Sequence, residues 1–365
     1  MNTTTASLPQ NAATTMTVLK RSVETLHPAY FAMVMATGVV AIAANWFGIR
    51  WISVPLGLLN IAVCAVLAVM TVARVLFYPS AFWRDLTDHT RGVGFFTIVA
   101  GTAVLGTQFI LIFGDYETAA VLWFASILLW TGFTYAIFTA LTVKEHKPTL
   151  AEGINGGWLI AVVATQAVAN LGTWLLPKFA GNAEPILFFS LALWLWGGML
   201  YIWMISLIFY RYTFFRFLPS DLMPPYWINM GAMAISTLVG ANLVKHAGMA
   251  PFMEGFVPFL KGFTILFWAT ATWWIPMLFI LALWRHVYKK FKFVYDPLYW
   301  GAVFPLGMYT VSTLRLSEAM RLPFLSALAG VFIYFAVTAW LLTFAGLVGS
   351  LASLLRSEEA TERVT

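Results

Sequence analysis

Apolar residues run along this chain in long blocks, parted by short polar interruptions. Ten blocks reach bilayer-spanning length, at about 28–48, 52–77, 92–113, 117–142, 154–176, 184–210, 226–245, 256–284, 298–320 and 325–352. The links within successive pairs are short, the one from His246 to Gly255 being somewhat longer. The links between pairs hold charge and proline, as in YPSAFWRDLTDHTR and RHVYKKFKFVYDP. The pattern predicts five helical hairpins in series. Their first helices begin near Pro28, Gly92, Ile154, Tyr226 and Leu298, at spacings of 64, 62, 72 and 72 residues, which reads as an internal repeat.

The two helices of each hairpin differ in kind. The odd ones carry small residues mid-span, as in MATGVVAIAA, VAGTAVLGTQ and GAMAISTLVGAN, whereas most even ones are bulky, as in VLWFASILLW and FTILFWATATWW. In a bilayer small residues let backbones approach, and large apolar side chains suit lipid. The expected fold is therefore an all-α membrane protein of ten transmembrane helices over 28–352. An inner ring of odd helices surrounds a central pore, and the even helices form an outer ring. Residues 1–27, Thr-rich and poor in packing residues, are expected to be a disordered cytoplasmic tail, and 353–365 a second cytoplasmic tail.

Composition agrees: 61% of the residues are hydrophobic and 10% charged, against roughly 25% charged in soluble domains. Of the 21 Lys and Arg, 15 fall on the side that holds both termini and 6 on the other. That asymmetry places both termini in the cytoplasm of a multi-pass inner-membrane protein. It also accounts for the net charge of +6 without nucleic acid as a partner. One cysteine, Cys64, excludes an intrachain disulfide and a multi-Cys metal site. No His/Cys/acid cluster has metal-ligand spacing, no cofactor motif is present and no nucleophile–base pair stands out, which argues against an enzyme.

Candidate chemistry gathers in the ninth block, LYWGAVFPLGMYTVSTLRLSE (Leu298 to Glu318). Pro305 has no N–H to offer the Gly301 carbonyl. At about 100° per residue Gly301, Phe304, Met308, Ser312 and Arg315 share a face. That face reads as a pore wall blocked by Phe304. From this stretch alone a kinked packing helix whose Phe fills a gap fits too; the fivefold repeat favours the pore. No acid lies mid-span, and the neutral polar groups of the odd helices suit an anion better than a cation. The candidate lining is Thr37, Gly38, Gly101, Thr102, Thr165, Ser236, Gly301, Pro305, Met308 and Ser312. Phe304 is the candidate gate and Arg315 a source of anion attraction. Each polar group has a rival reading as interhelical glue, and Arg315 one as a snorkelling side chain.

Five hairpins with small-residue inner helices resemble the tellurite-resistance/C4-dicarboxylate transporter family, to which slow-type anion channels and malate permeases belong. YWGAVFPLGMYT and AYFAMVMATGVVAIAA are the most specific pieces, and the resemblance covers essentially 28–352. It implies a homotrimer with one pore per protomer, occluded by a Phe of the ninth helix that maps onto Phe304. Met308 and Tyr309 are more like the dicarboxylate-permease branch. The expected function is passage of small anions or C4-dicarboxylates such as malate or succinate across the bilayer, with an implied link to tellurite resistance. Two alternatives stay open. One is a proton-coupled dicarboxylate symporter using Glu318 or a loop His. The other is a membrane-embedded enzyme.

Overall fold

The computed structural model describes residues 19–362. Among these the structure is helical, with no strand. Ten long helices carry it: α1 (Ala32–Trp46), α2 (Arg50–Phe77), α3 (Phe96–Gln108), α4 (Tyr116–Val143), α5 (Ile160–Trp174), α6 (Ala183–Phe214), α7 (Ile228–His246), α8 (Val257–Leu283), α9 (Trp300–Met320) and α10 (Phe324–Glu362). Among the described residues, eight helical stretches are long and apolar enough to cross a membrane. The two others are α5 and α9, which carry many polar side chains. Thr165, Gln166, Asn170 and Thr173 lie in one, and Thr310, Ser312, Thr313 and Arg315 in the other. All eight of those side chains belong to buried residues. Their polarity is spent inside the protein, which is why these two helices fall below the apolar threshold that the other eight pass.

Each odd helix opens with a 3₁₀ turn: Pro28–Phe31, Gly92–Phe95, Gly156–Leu159, Pro224–Trp227 and Pro297–Tyr299. Three of these begin with proline, whose missing N–H is an orphan there in any case. The odd helices are the interior. Of the best apolar window, 83% is buried in Pro28–Trp46 and 89% in both Gly92–Phe113 and Pro224–Met249, against 17–50% in the even helices. Contacts between odd helices run α1 on α3, α3 on α5, α5 on α7, α7 on α9 and α9 back on α1. Every even helix packs on the odd helix before it and on the odd helix after it, α10 reaching α1.

A hydrogen bond, buried in three cases and part-buried in two, marks every one of these forward contacts. Asn60 Nδ2 of α2 donates to Gln108 Oε1 of α3 at 2.9 Å. Trp130 Nε1 of α4 donates to Thr165 Oγ1 of α5 at 2.8 Å. Trp194 Nε1 of α6 donates to the Ser236 carbonyl of α7 at 2.8 Å. Trp268 Nε1 of α8 donates to Thr313 Oγ1 of α9 at 3.0 Å. Trp340 Nε1 of α10 donates to Thr37 Oγ1 of α1 at 3.0 Å. Each is worth about 0.6–1.7 kcal/mol in a membrane, and together they fix the rotation of each inner helix.

The ends differ from expectation. Residues 1–18 of the expected N-terminal tail lie outside the described residues, but 19–24 form a helical turn. Arg74 holds it by donating to the carbonyls of Glu24 and Leu26. α10 continues through Glu362, past the expected end at 352, and 363–365 lie outside the described residues. Pro305 does not interrupt α9, and α2 and α8 contain Pro55 and Pro276 in the same way. An internal proline therefore does not by itself distinguish an inner helix here.

Candidate functional site

Two cavities touch all five odd helices or the turns that lead into them. The first, about 280 Å³, lies at the N-terminal ends, with His27, Gly94, Asn155, Pro225 and Leu298 among its walls. The second, about 10 Å³, lies further along and is bounded by Ile42, Thr107, Asn170, Leu238 and Met308 among others. A space of that size holds about one water. Along α9, Phe304 stands between the cavity that Leu298 lines and the one that Met308 lines. At 1.5 Å per residue it is roughly 9 Å from the first position and 6 Å from the second. It is 1% exposed. Between those two positions α9 carries two large buried rings, Trp300, which packs against Trp340 of α10, and Phe304.

A polar network joins four odd helices beside the smaller cavity. Asn170 Nδ2 donates to Thr107 Oγ1 at 3.3 Å. Asn242 Nδ2 is within 3.1 Å of Asn170 Oδ1 and 3.2 Å of Thr173 Oγ1. Arg315 Nε donates to Asn242 Oδ1 at 2.6 Å, and its guanidinium lies 4.7 Å from the centre of the Trp174 ring. Nη1 pairs with Glu318 at 2.9 Å, and Glu318 also receives Lys245 at 2.7 Å. Arg315 does not snorkel to an exposed end. It is 9% exposed and lies one residue behind the cavity wall through Trp174, and two behind it through Asn242 and Asn170. Two cations against one carboxylate give this cluster a net charge of +1.

The remaining sequence candidates divide. Thr37 and Thr165 accept from the outer-helix tryptophans and so lie at helix contacts, not in the lining. A Cβ at Gly38 would lie 2.8 Å from both Asn60 Nδ2 and Val104 Cγ1, and one at Gly101 3.4 Å from the Phe31 carbonyl. Those glycines serve close packing of α1, α2 and α3. The Pro305 ring sits against Gly231 of α7. Thr102, Ser236 and Ser312 donate to carbonyls of their own helices. Gly301 is the roomiest, since a Cβ there would come no nearer than 3.6 Å, to Pro225 Cα. Met308 alone of these candidates borders the smaller cavity. Sequence reasoning missed the gluing role of the outer tryptophans, although a signal existed: Trp130, Trp194, Trp268 and Trp340 recur at intervals of 64, 74 and 72 residues, close to the hairpin repeat.

His27 caps the first 3₁₀ turn, its Nδ1 accepting from the Ala29 N–H at 3.1 Å. Burial, helped by Arg91, lowers its pKa from 6.5 to about 4. The folded state thus holds the neutral ring. As pH falls from 6.5 towards 4 the unfolded chain takes up a proton that the folded one refuses, so stability is lost across that window, by about 3 kcal/mol. Asparagine also caps well and does not titrate. His27→Asn should flatten the fall in melting temperature between pH 6.5 and 4, read by thermal unfolding in detergent; an unchanged slope would assign the acid sensitivity elsewhere.

Residues 25–348 match the family model described as voltage-dependent anion channel. An uncharacterized transporter of Methanocaldococcus jannaschii is 26% identical over 298 residues, covering 80% of this chain and 84% of that protein. A sulfite efflux pump of Trichophyton rubrum is 22% identical over 346 residues, covering 89% and 90%. An uncharacterized membrane protein of Mycobacterium tuberculosis is 37% identical over 158 residues, covering 43% of this chain and 79% of that protein. A match over nearly the whole helical bundle, with relatives that are membrane proteins and transporters, makes this chain a membrane protein of the voltage-dependent anion channel family.

Proposed function

We propose that this protein is a conduit for small anions, formed by α1, α3, α5, α7 and α9 around one lumen and held closed by Phe304. The observation that supports the reading is a pair of cavities that each border all five inner elements, with Phe304 buried in the chain between Leu298 and Met308, which line them. The contact cycle of the odd helices and the five forward hydrogen bonds support the ring. Counted this way the bundle has ten spans, and the 15-to-6 split of Lys and Arg favours cytoplasmic termini in an inner membrane. Amide and hydroxyl groups with nearby Arg315 suit an oxyanion, and the efflux pump among the relatives makes sulfite a first substrate to try beside chloride, nitrate, malate and succinate. A role in tellurite resistance and a homotrimeric assembly belong to the same reading. Efflux from proteoliposomes should persist with no pH gradient; dependence on a gradient would favour the proton-coupled symporter instead.

Arg315 gives a second test of this reading. Arg315→Gln should lower flux, because it removes a positive charge that lies one residue behind the cavity wall through Trp174. Glu318→Gln removes the opposing charge and should raise flux. If both variants lose flux equally, Arg315 is structural.

A further inference from the structure

A cleft of about 260 Å³ lies outside the candidate pathway, behind α9. Its walls include Leu278 and Ala282 of α8, Ala339 and Leu342 of α10, and Ala302 and Leu306 of α9. α8 and α10 both pack on α9 but have few contacts with each other. The slot between them therefore opens towards the lipid. Its back wall is the helix turn that carries Phe304 and Pro305.

The rim of this apolar slot is basic. Arg285 and His286 border it, on a wide π turn that ends α8. Arg285 Nη1 donates to the Leu222 carbonyl at 2.5 Å, and the guanidinium lies 4.4 Å from the Phe291 ring centre. Arg285 Nε is buried with no hydrogen-bond partner. None of the six ion pairs among the described residues includes Arg285, His286, Lys289, Lys290 or Lys292. A cationic N–H shut away from water without an acceptor is costly, so the site calls for an anionic one. The same loop exposes Tyr288, Phe293 and Val294 beside its lysines, the mixture that lies at a headgroup layer. Its one acid, Asp296, is engaged in accepting from the Leu298 N–H.

We propose that this cleft is a binding site for an anionic phospholipid of the adjoining leaflet. An acyl chain enters between α8 and α10 and rests against the back of α9, while the phosphodiester meets Arg285 and the lysines that follow. The walls supply what a chain needs, and the uncompensated rim selects charge. The bound lipid would touch Ala302 and Leu306, on either side of the Phe304–Pro305 pair.

Lipid retention tests this directly, and it does not depend on anion flux. Wild type, Arg285→Gln and Ala282→Trp would be purified from membranes containing phosphatidylglycerol and phosphatidylethanolamine, and the retained lipid measured by mass spectrometry. Wild type should keep phosphatidylglycerol in excess of phosphatidylethanolamine. Both variants should keep severalfold less, one by loss of charge and the other by filling the slot with Arg285 intact. Equal phosphatidylglycerol retention in all three proteins overturns the proposal, as does retention blind to headgroup charge. If a variant does not fold, short-chain phosphatidylglycerol added to delipidated wild type should still raise its melting temperature more than phosphatidylcholine does; equal shifts overturn the site. A disulfide between copies through Leu342→Cys in intact membranes would also overturn it, by showing a second chain in the cleft. Should wild type conduct no anion yet retain the lipid selectively, the conduit reading fails and the lipid site stands.

Discussion

Phe304→Ala should reach the membrane in normal amounts and conduct anions at least about tenfold faster than wild type in proteoliposomes, the change that ~1.4 kcal/mol off a barrier produces. A plug and a core anchor differ in the sign of this effect. Truncating a core Phe costs about 3–5 kcal/mol and lowers yield and transport together. Truncating a plug opens the path while the bonds that position the helices stay in place. Those bonds are elsewhere: Thr313 of α9 is tied to Trp268, and Tyr309 to Thr272. Gly301, one turn away on the same face, has room beside Pro225 for a ring that swings aside. Phe304→Leu should fall between alanine and wild type. Normal folding with wild-type flux in Phe304→Ala would sink the gate. Loss of the protein from the membrane would make Phe304 a packing residue.

The largest loss of stability is expected from Asp85→Asn. Asp85 is 3% exposed and accepts from Arg74, itself 2% exposed, at 2.6 Å, and from Arg91 at 2.9 Å. Arg74 also donates to the Glu24, Leu26 and Ala81 carbonyls, so one guanidinium ties the end of α2 to the chain entering α1. Neutralising the carboxylate leaves a buried cation without its counter-charge, which costs about 3–5 kcal/mol. The contrast is Glu117→Gln. Glu117 pairs with Lys178, but its side chain is 85% exposed, and such pairs contribute about 0–1 kcal/mol. Thermal unfolding in detergent should show a large drop for the first substitution and almost none for the second. Equal drops would mean that the cluster is solvated in the membrane.

The all-helical fold and its alternation of buried and exposed helices were legible because long apolar blocks and the small/large contrast are strong signals that survive any detail of packing. The lining was not. A threonine in a small-residue helix looks the same in sequence whether it faces a lumen or an indole from the neighbouring hairpin; Thr37 and Thr165 face indoles. Glycines are equally mute, since Gly38 and Gly101 mark helix contacts although a narrow lumen would ask for the same residue. Phe304 stood out for a different reason. A large ring next to a proline is a local anomaly, and along the chain it falls between Leu298 and Met308, which border the two cavities. The Arg315 network needed coordinates, because it joins residues of four helices, Thr107 and Arg315 among them, that lie more than two hundred positions apart in the chain.

The bond from Trp340 to Thr37 joins residues 303 positions apart. Every other forward bond links a hairpin to the one made just after it, so those contacts can form as synthesis proceeds. The first helix, in contrast, must wait in the bilayer with one flank uncovered until the last emerges. Late, long-range closure of this sort is the slow step in assembling a topology. It also gives the bundle a seam that is set by the order of translation and not by its architecture. A chain cut between hairpins and rejoined end to end would carry the same five bonds, with the waiting helix moved to another hairpin.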